Sequence, residues 1–250
     1  MKILHSLILS SIFATGTTNA SIALFEDFED STISYTFAAN DDAGTINEST
    51  PAPLAGVEDY IGRLRYDSIE SHLTVDQLLN QQGDSFFGAQ DYGGIGASAT
   101  LNWTGIDVSS FGTDYTFSAF FGEVDDGLEN DWDDDDSVTV WVNLDGSGFQ
   151  QIFGIESTNN APNATPSIDT NLDGVGDGAE ITNTLTRYSV DIGSSLGAAT
   201  TLDLEIRIQG LASNNEDIAI DNVQIGVIPE PSSTLLLGLG GLSLFIRRKR

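Results

Sequence analysis

Twelve consecutive residues, Asp169-Thr170-Asn171-Leu172-Asp173-Gly174-Val175-Gly176-Asp177-Gly178-Ala179-Glu180, carry oxygen donors at the spacing a hard cation needs. Asp169, Asn171 and Asp173 offer side-chain oxygens at the first, third and fifth positions, and Val175 a main-chain carbonyl at the seventh. Asp177 at the ninth would act directly or through water, and Glu180 at the twelfth would close the site with both carboxylate oxygens. Gly174 stands where the sharp turn falls. This donor set suits Ca²⁺, and Ca²⁺ is the cofactor expected; the competing reading is a plain Asp/Gly turn.

The segment resembles the EF-hand loop at every diagnostic position, but its flanks do not look helical. Ala161-Pro162 to Pro166 precedes it, and a Thr-rich strand is expected after it. The resemblance is therefore to the calcium loops of thrombospondin type 3 and dockerin-like segments, which implies that the ion stiffens a connection rather than driving a sensor.

Other chemistry is sparser. The run Asp131-Trp132-Asp133-Asp134-Asp135-Asp136 gathers like charges that repel and could attract a cation, or could form a solvated acidic loop. Trp132, beside that run, and Trp141, expected to face outward from a strand, are candidates for stacking on a sugar ring; the alternative is that they cover a sandwich edge. His5 lies in the leader and leaves His72 as the one imidazole of the remaining chain. No G-x-S-x-G and no zinc-type His cluster is present. Gly93-Gly94-Ile95-Gly96 lacks the lysine and helix start of a phosphate loop and reads as a turn. No catalytic residue is nominated, and the chain is read as a non-enzyme.

The elements that must hold these groups are strands. In Ser137 to Leu144, Val138, Val140, Val142 and Leu144 alternate with Thr139, Trp141 and Asn143; Asp145-Gly146-Ser147-Gly148 then turns the chain into Phe149 to Ile155. In Thr201 to Gln209, Leu202, Leu204, Ile206 and Ile208 face one way, and Asp203, Glu205 and Arg207 the other. Further strands are expected at Ala23 to Phe28, Ser34 to Ala38, Ala99 to Trp103, Tyr115 to Gly122, Leu185 to Asp191 and Ile218 to Val227. Thr74 to Gln82 is compatible with a helix or a loop, and Ser49 to Leu54 and Ser157 to Ser167 read as loops. The expected fold is all-β, a single antiparallel sandwich over residues 21–228 with the calcium loop at 169–180. Trp132-Asp133 through Leu144, the Asp145-Gly146 turn and Ile218 to Val223 resemble secreted jelly-roll domains of the galactose-binding-like and laminin-G-like kinds.

Residues 1–20 read as a signal peptide. Lys2 is followed by an apolar run from Ile3 to Ala14, and Thr18-Asn19-Ala20 suits signal peptidase. Without that leader and the segment from Glu230 onward, 37 acidic residues face only Arg63, Arg65, Arg187 and Arg207, a net charge of about −33 against −29 for the whole chain. Such a domain repels nucleic acid and anionic bilayers, and divalent cations are its natural counterparts; the alternative is that the acid excess only keeps an extracellular protein soluble. Having no cysteine, it stands without disulfides, on an apolar core to which phenylalanine, 13 in the whole chain, contributes heavily.

The C-terminal segment 229–250 has three parts: Pro229-Glu230-Pro231, an uncharged Leu- and Gly-rich stretch from Thr234 to Ile246, and the basic cluster Arg247-Arg248-Lys249-Arg250. The apolar stretch would rise about 20 Å as a helix, a marginal span, with the basic cluster on the cytoplasmic side. This order resembles the PEP-CTERM sorting tail; the alternative is an ordinary C-terminal anchor that happens to contain Pro-Glu-Pro. The resemblance implies cleavage near Pro229 to Pro231 by an exosortase in the inner membrane, in bacteria that make exopolysaccharide. The protein expected is an exported, inner-membrane-tethered precursor that becomes a cell-surface or extracellular-matrix sandwich, calcium-stabilised and a candidate for binding polysaccharide. A secreted carbohydrate-active enzyme of jelly-roll type and a purely structural matrix component are the alternatives.

Overall fold

The computed structural model of the chain describes residues 21–30, 33–39, 45–46, 60–66, 78–90, 92, 97–123, 132–158, 164–212 and 216–227. Alternation of apolar and polar residues places strand after strand half in a shared core. β8 (Ser137–Leu144) and β12 (Thr201–Gln209) have the bounds their alternation predicts, with Val138, Val140, Val142, Leu202, Leu204, Ile206 and Ile208 all buried. Between β8 and β9 (Phe149–Ser157), Asp145 and Gly146 both take positive φ, 50° and 72°, the backbone of a two-residue hairpin turn.

Two sheets form around that core. One runs β11 (Thr186–Asp191), β7 (Thr116–Gly122), β13 (Asp217–Gly226), β5 (Ser85–Gln90), β4 (Tyr60–Arg65), β3 (Thr45–Ile46), with β1 (Ile22–Glu26) also paired to β13. The other runs β10 (Pro166–Ile168), β9, β8, β12, β6 (Ser98–Asp107), β2 (Thr36–Ala39). Every pairing is antiparallel except the short β3–β4 contact. The expected all-β antiparallel sandwich is what the chain forms. Its interior is one apolar cluster that draws on both sheets, including Phe87, Phe117, Phe121, Leu101, Trp103, Val140, Ile206 and Ile220.

Several expectations change. β4 and β5 lie where no strand was expected. Pro166-Ser167, expected to be loop, belong to β10, an edge strand on which a proline costs no ladder bond. Within Thr74 to Gln82, residues 74–77 lie outside the described residues and 78–82 are not helical. Leu78 is buried and Leu79 half exposed, and Leu79 bridges to Thr184, so the two leucines share no face. A short helix, α1 (Ile192–Leu196), starts at Asp191, whose carboxylate accepts the Ser194 amide at 3.0 Å.

The outward sides of the two sheets differ. On the first, Leu64, Tyr66, Leu78, Phe86, Leu185 and Ala219 form a second buried apolar cluster. On the second, the outward residues of β8, β12 and β6 are polar, apart from the half-buried Trp141.

Candidate functional site

The 169–180 loop is drawn around one carboxylate. Asp169 is 2 % exposed; its Oδ1 accepts the amides of Asn171 (3.2 Å), Leu172 (2.6 Å) and Asp173 (3.3 Å), and its Oδ2 that of Gly174 (2.8 Å). Gly174 has φ 88°, which a side chain would strain. Asn171 Oδ1 accepts the Asp173 amide at 2.9 Å, and Asp173 Oδ1 the Val175 amide at 3.2 Å. Asp177 Oδ1 accepts both the amide (2.8 Å) and the hydroxyl (2.7 Å) of Thr170, and these bonds hold its carboxyl below the usual range. Glu180, exposed, forms an isolated bridge with Ser167 on the strand side of the loop. β10 leads into the loop where more loop was expected, and β11 follows it, so neither flank is helical.

The loop leans on β9. The Gly176 amide donates to Ser157 O at 2.9 Å, and the Asp169 amide to Gly154 O at 3.0 Å. Burial, and then the Asp169 charge, push Glu156 up to about 8. Among the described residues no three Asp, Glu or His side chains converge closely enough to hold a metal ion. The side-chain oxygens of Asp169, Asn171, Asp173 and Asp177 hold the loop's own amides, and an ion would have to share or displace those bonds.

Trp132 requires a correction. It is 0 % exposed, part of the main core, and its Nε1 donates to Asp217 O at 3.3 Å, so no sugar ring can stack on it. The acidic run beside it is not wholly solvated either. Asp136 is 2 % exposed and clasps two chain segments, accepting the Leu211 amide at 2.6 Å and the Asp133 amide at 2.5 Å. Burial raises it to about 6. Gly210, at φ 75°, passes close enough to that carboxylate that a β-carbon would collide with it.

Trp141 lies on the outward side of β8, half-buried. Its Nε1 donates to Thr139 Oγ1 at 2.9 Å, and the Arg207 guanidinium lies 4.4 Å from the ring centroid and 5.4 Å from that of Phe149. Arg207 in turn donates through Nε (2.8 Å) and Nη2 (2.6 Å) to Glu205 Oε2. Alongside, Asn102 Nδ2 donates to Glu205 Oε1 at 3.2 Å and Asn143 Nδ2 to Asp203 Oδ2 at 3.1 Å. Of this group the sequence singled out Trp141 alone. The others are brought together by strand register, for which no local pattern in the sequence exists.

Buried polar groups also sit on β13 and β4 of the first sheet. Asp221, 0 % exposed, accepts the Tyr66 hydroxyl at 2.8 Å and is pushed by burial up to about 7. Arg63 is 2 % exposed and donates through Nη1 to Asp30 O. Pro229, Glu230, Pro231, Arg247, Arg248, Lys249 and Arg250 lie outside the described residues, as do His72, Gly93 to Gly96 and the leader 1–20. No helix of the described residues is long and apolar enough to cross a membrane.

Residues 227–250 match the PEP-CTERM protein-sorting motif. The chain thus carries the sorting tail its sequence suggests, a mark of export through a membrane sorting step. No curated protein matches the sequence. Among solved structures the chain is similar to a carbohydrate-binding module of the β-sandwich superfamily, at 10 % identity and TM-score 0.39, over 83 % of this chain and 61 % of that one. It is also similar to the K3 adhesin domain of Lys-gingipain from Porphyromonas gingivalis, at 15 % identity and TM-score 0.42, over 83 % and 99 %. A third is a cyclase from Fischerella sp., at 14 % identity and TM-score 0.47, over 85 % and 98 %. At these scores the likenesses say nothing of ligand or activity; the sandwich rests on the chain's own strands.

Proposed function

We propose that the chain is an exported, non-enzymatic β-sandwich delivered to the cell surface or the extracellular matrix by its sorting tail. Signal peptidase removes residues 1–20, the tail tethers the precursor in the inner membrane, and an exosortase-type enzyme cuts near Pro229 to Pro231. The match of residues 227–250 to the sorting motif carries this reading. Replacing Pro229, Glu230 and Pro231 by alanine tests it by cell fractionation. The wild type is expected in the surface or medium fraction and the variant in the inner membrane; equal distribution of the two would overturn it.

Ca²⁺ stiffens the 169–180 loop in this reading. Support comes from the spacing of the oxygen donors, from a net charge of −29, and from two carboxylates, Asp169 and Glu156, brought together where the loop meets β9. Once folded, the sandwich binds extracellular polysaccharide. The protein purified from membranes in detergent should melt several degrees higher with Ca²⁺ than with chelator, since a ligand that binds only the folded state stabilises it. Asp173→Ala should abolish that increment, because it removes one expected ligand whose exposed carboxylate otherwise accepts the Val175 amide. An increment absent from the wild type, or retained in the variant, would remove calcium from the account.

A further inference from the structure

We propose that the outward face of the second sheet is a platform for a neutral polysaccharide, built on the row Gln151, Trp141, Glu205, Asn102 and Thr36. The inference deepens the polysaccharide reading above and rests on it. Register places these five residues side by side on five neighbouring strands: Gln151 opposite Trp141, Trp141 opposite Glu205, Glu205 opposite Asn102, and Asn102 opposite Thr36. Directly opposed residues of an antiparallel pair project from the same face. Val140, Val142, Leu204, Ile206, Leu101 and Trp103 take the core side, so the row takes the other. With strands about 4.8 Å apart, the row is about 19 Å long, the extent of an oligosaccharide rather than of a single sugar.

The residue types select the occupant. An indole, two primary amides, a carboxylate and a hydroxyl can together donate to and accept from a dense set of hydroxyl groups while offering an apolar ring to the C–H side of a sugar. Trp141 is held in place by its bond to Thr139 and by Arg207 against one ring face, so little rotamer freedom remains to be lost on binding. Glu205 binds Arg207 and cancels its charge within the face. On a chain of net charge −29 that arrangement favours a neutral polymer over a uronate or a polyphosphate.

A second observation points to a missing donor. Asn102 Oδ1 is buried without a hydrogen-bond partner, although Nδ2 of the same amide is satisfied by Glu205. A buried carbonyl oxygen left unpaired is costly. A sugar hydroxyl that reaches it once the groups covering it shift is the donor it lacks. On the first sheet an apolar cluster covers the outward side of β4, β5 and the adjoining end of β13, and the Arg187 guanidinium ties up Ser118 and Gln224 on the remainder.

The test uses the full chain, purified in detergent and mixed with insoluble cellulose, xylan, chitin and β-1,3-glucan, with alginate gel as the anionic comparison. Retention on at least one neutral polymer is expected, with none on alginate. Trp141→Ala and Asn102→Ala should each weaken that retention by about tenfold or more, the scale of one well-made contact. Thr36→Arg guards against misfolding as an explanation, since Thr36 is exposed and a long charged side chain there blocks the row while leaving the core untouched. Wild-type retention unchanged in Thr36→Arg and Trp141→Ala would overturn the platform and leave the polysaccharide reading standing. Wild-type protein that binds no neutral polymer would sink both. Stronger retention on alginate would overturn the neutral ligand. Dimerisation abolished by Thr36→Arg, with no glycan retention, would assign the face to a second copy of the chain.

Discussion

The outward faces of the two sheets are made from the same strand geometry and put to opposite uses. On the first sheet Phe86 stacks on Tyr66, with ring centroids 4.6 Å apart, and Leu64, Leu78 and Leu185 close over them. A carboxylate caught there, Asp221, is wholly buried and pushed toward neutrality. On the second sheet Glu205, Asp203 and Arg207 are half-buried and hydrogen-bonded within the face, and Arg207 lies over the Trp141 ring. The apolar cluster on the first face completes the fold, and the second face is the one proposed above to receive a glycan. Polarity alone does not separate them; what does is whether another stretch of chain arrives to cover the strands.

Phe86→Ala should have the largest effect. Emptying a fully buried aromatic site costs about 3–5 kcal/mol, so thermal melts should shift down by many degrees. Glycan retention measured well below the new midpoint should persist. If retention disappears while the protein is still folded, the two faces are coupled and the contrast between them fails.

A smaller effect comes from pH. Asp221 titrates near 3.8 when unfolded and near 7 when folded, so the folded state holds its proton more tightly. Its contribution to stability is complete below about pH 4 and declines as pH rises toward 7. Glu156, where the 169–180 loop covers β9, has the same sign with a window that reaches about pH 8. Melting points in chelator should therefore fall between pH 5 and pH 8. Asp221→Asn should flatten the lower part of that slope and raise the midpoint at pH 8, as differential scanning calorimetry would show. A midpoint that climbs with pH would contradict the burial of these acids.

Arg207→Ala should have the smallest effect on stability. A half-exposed cation over an aromatic ring, paired with one carboxylate, contributes about 1 kcal/mol or less. Denaturant midpoints should barely move while retention on neutral polymer weakens, because Trp141 loses the group that holds it. A large loss of stability would place Arg207 with the structural residues of the first face.

Legibility in the sequence followed the same division. β8 and β12 could be bounded because each has one side in the core and one polar side, which is what strict alternation records. β4 and β5 escaped notice for the opposite reason. Both sides of Ser85-Phe86-Phe87-Gly88-Ala89-Gln90 are buried, so alternation vanishes, and β4 turns Arg63 inward. Trp132 was misread because its Asp neighbours suggest solvent, whereas the chain dips at that point to insert the indole into the core. The 169–180 loop was legible, since its donors are consecutive in the chain. Gln151, Glu205, Asn102 and Thr36 come from four separate strands, and only the finished pairing makes them neighbours of Trp141.

The pairing of β13 bears on how the protein carries load. That strand is bonded to β7 on one side and to β5 and β1 on the other, and Gly226 lies opposite both Ile22 and Thr116. A pull on the chain beyond Val227, along the strand, is resisted by both flanking ladders at once, so their bonds must fail in shear together. An edge strand such as β11, held on one side by β7, would instead peel away bond by bond. A tether beyond Val227 would therefore load a strand held by ladders on both sides.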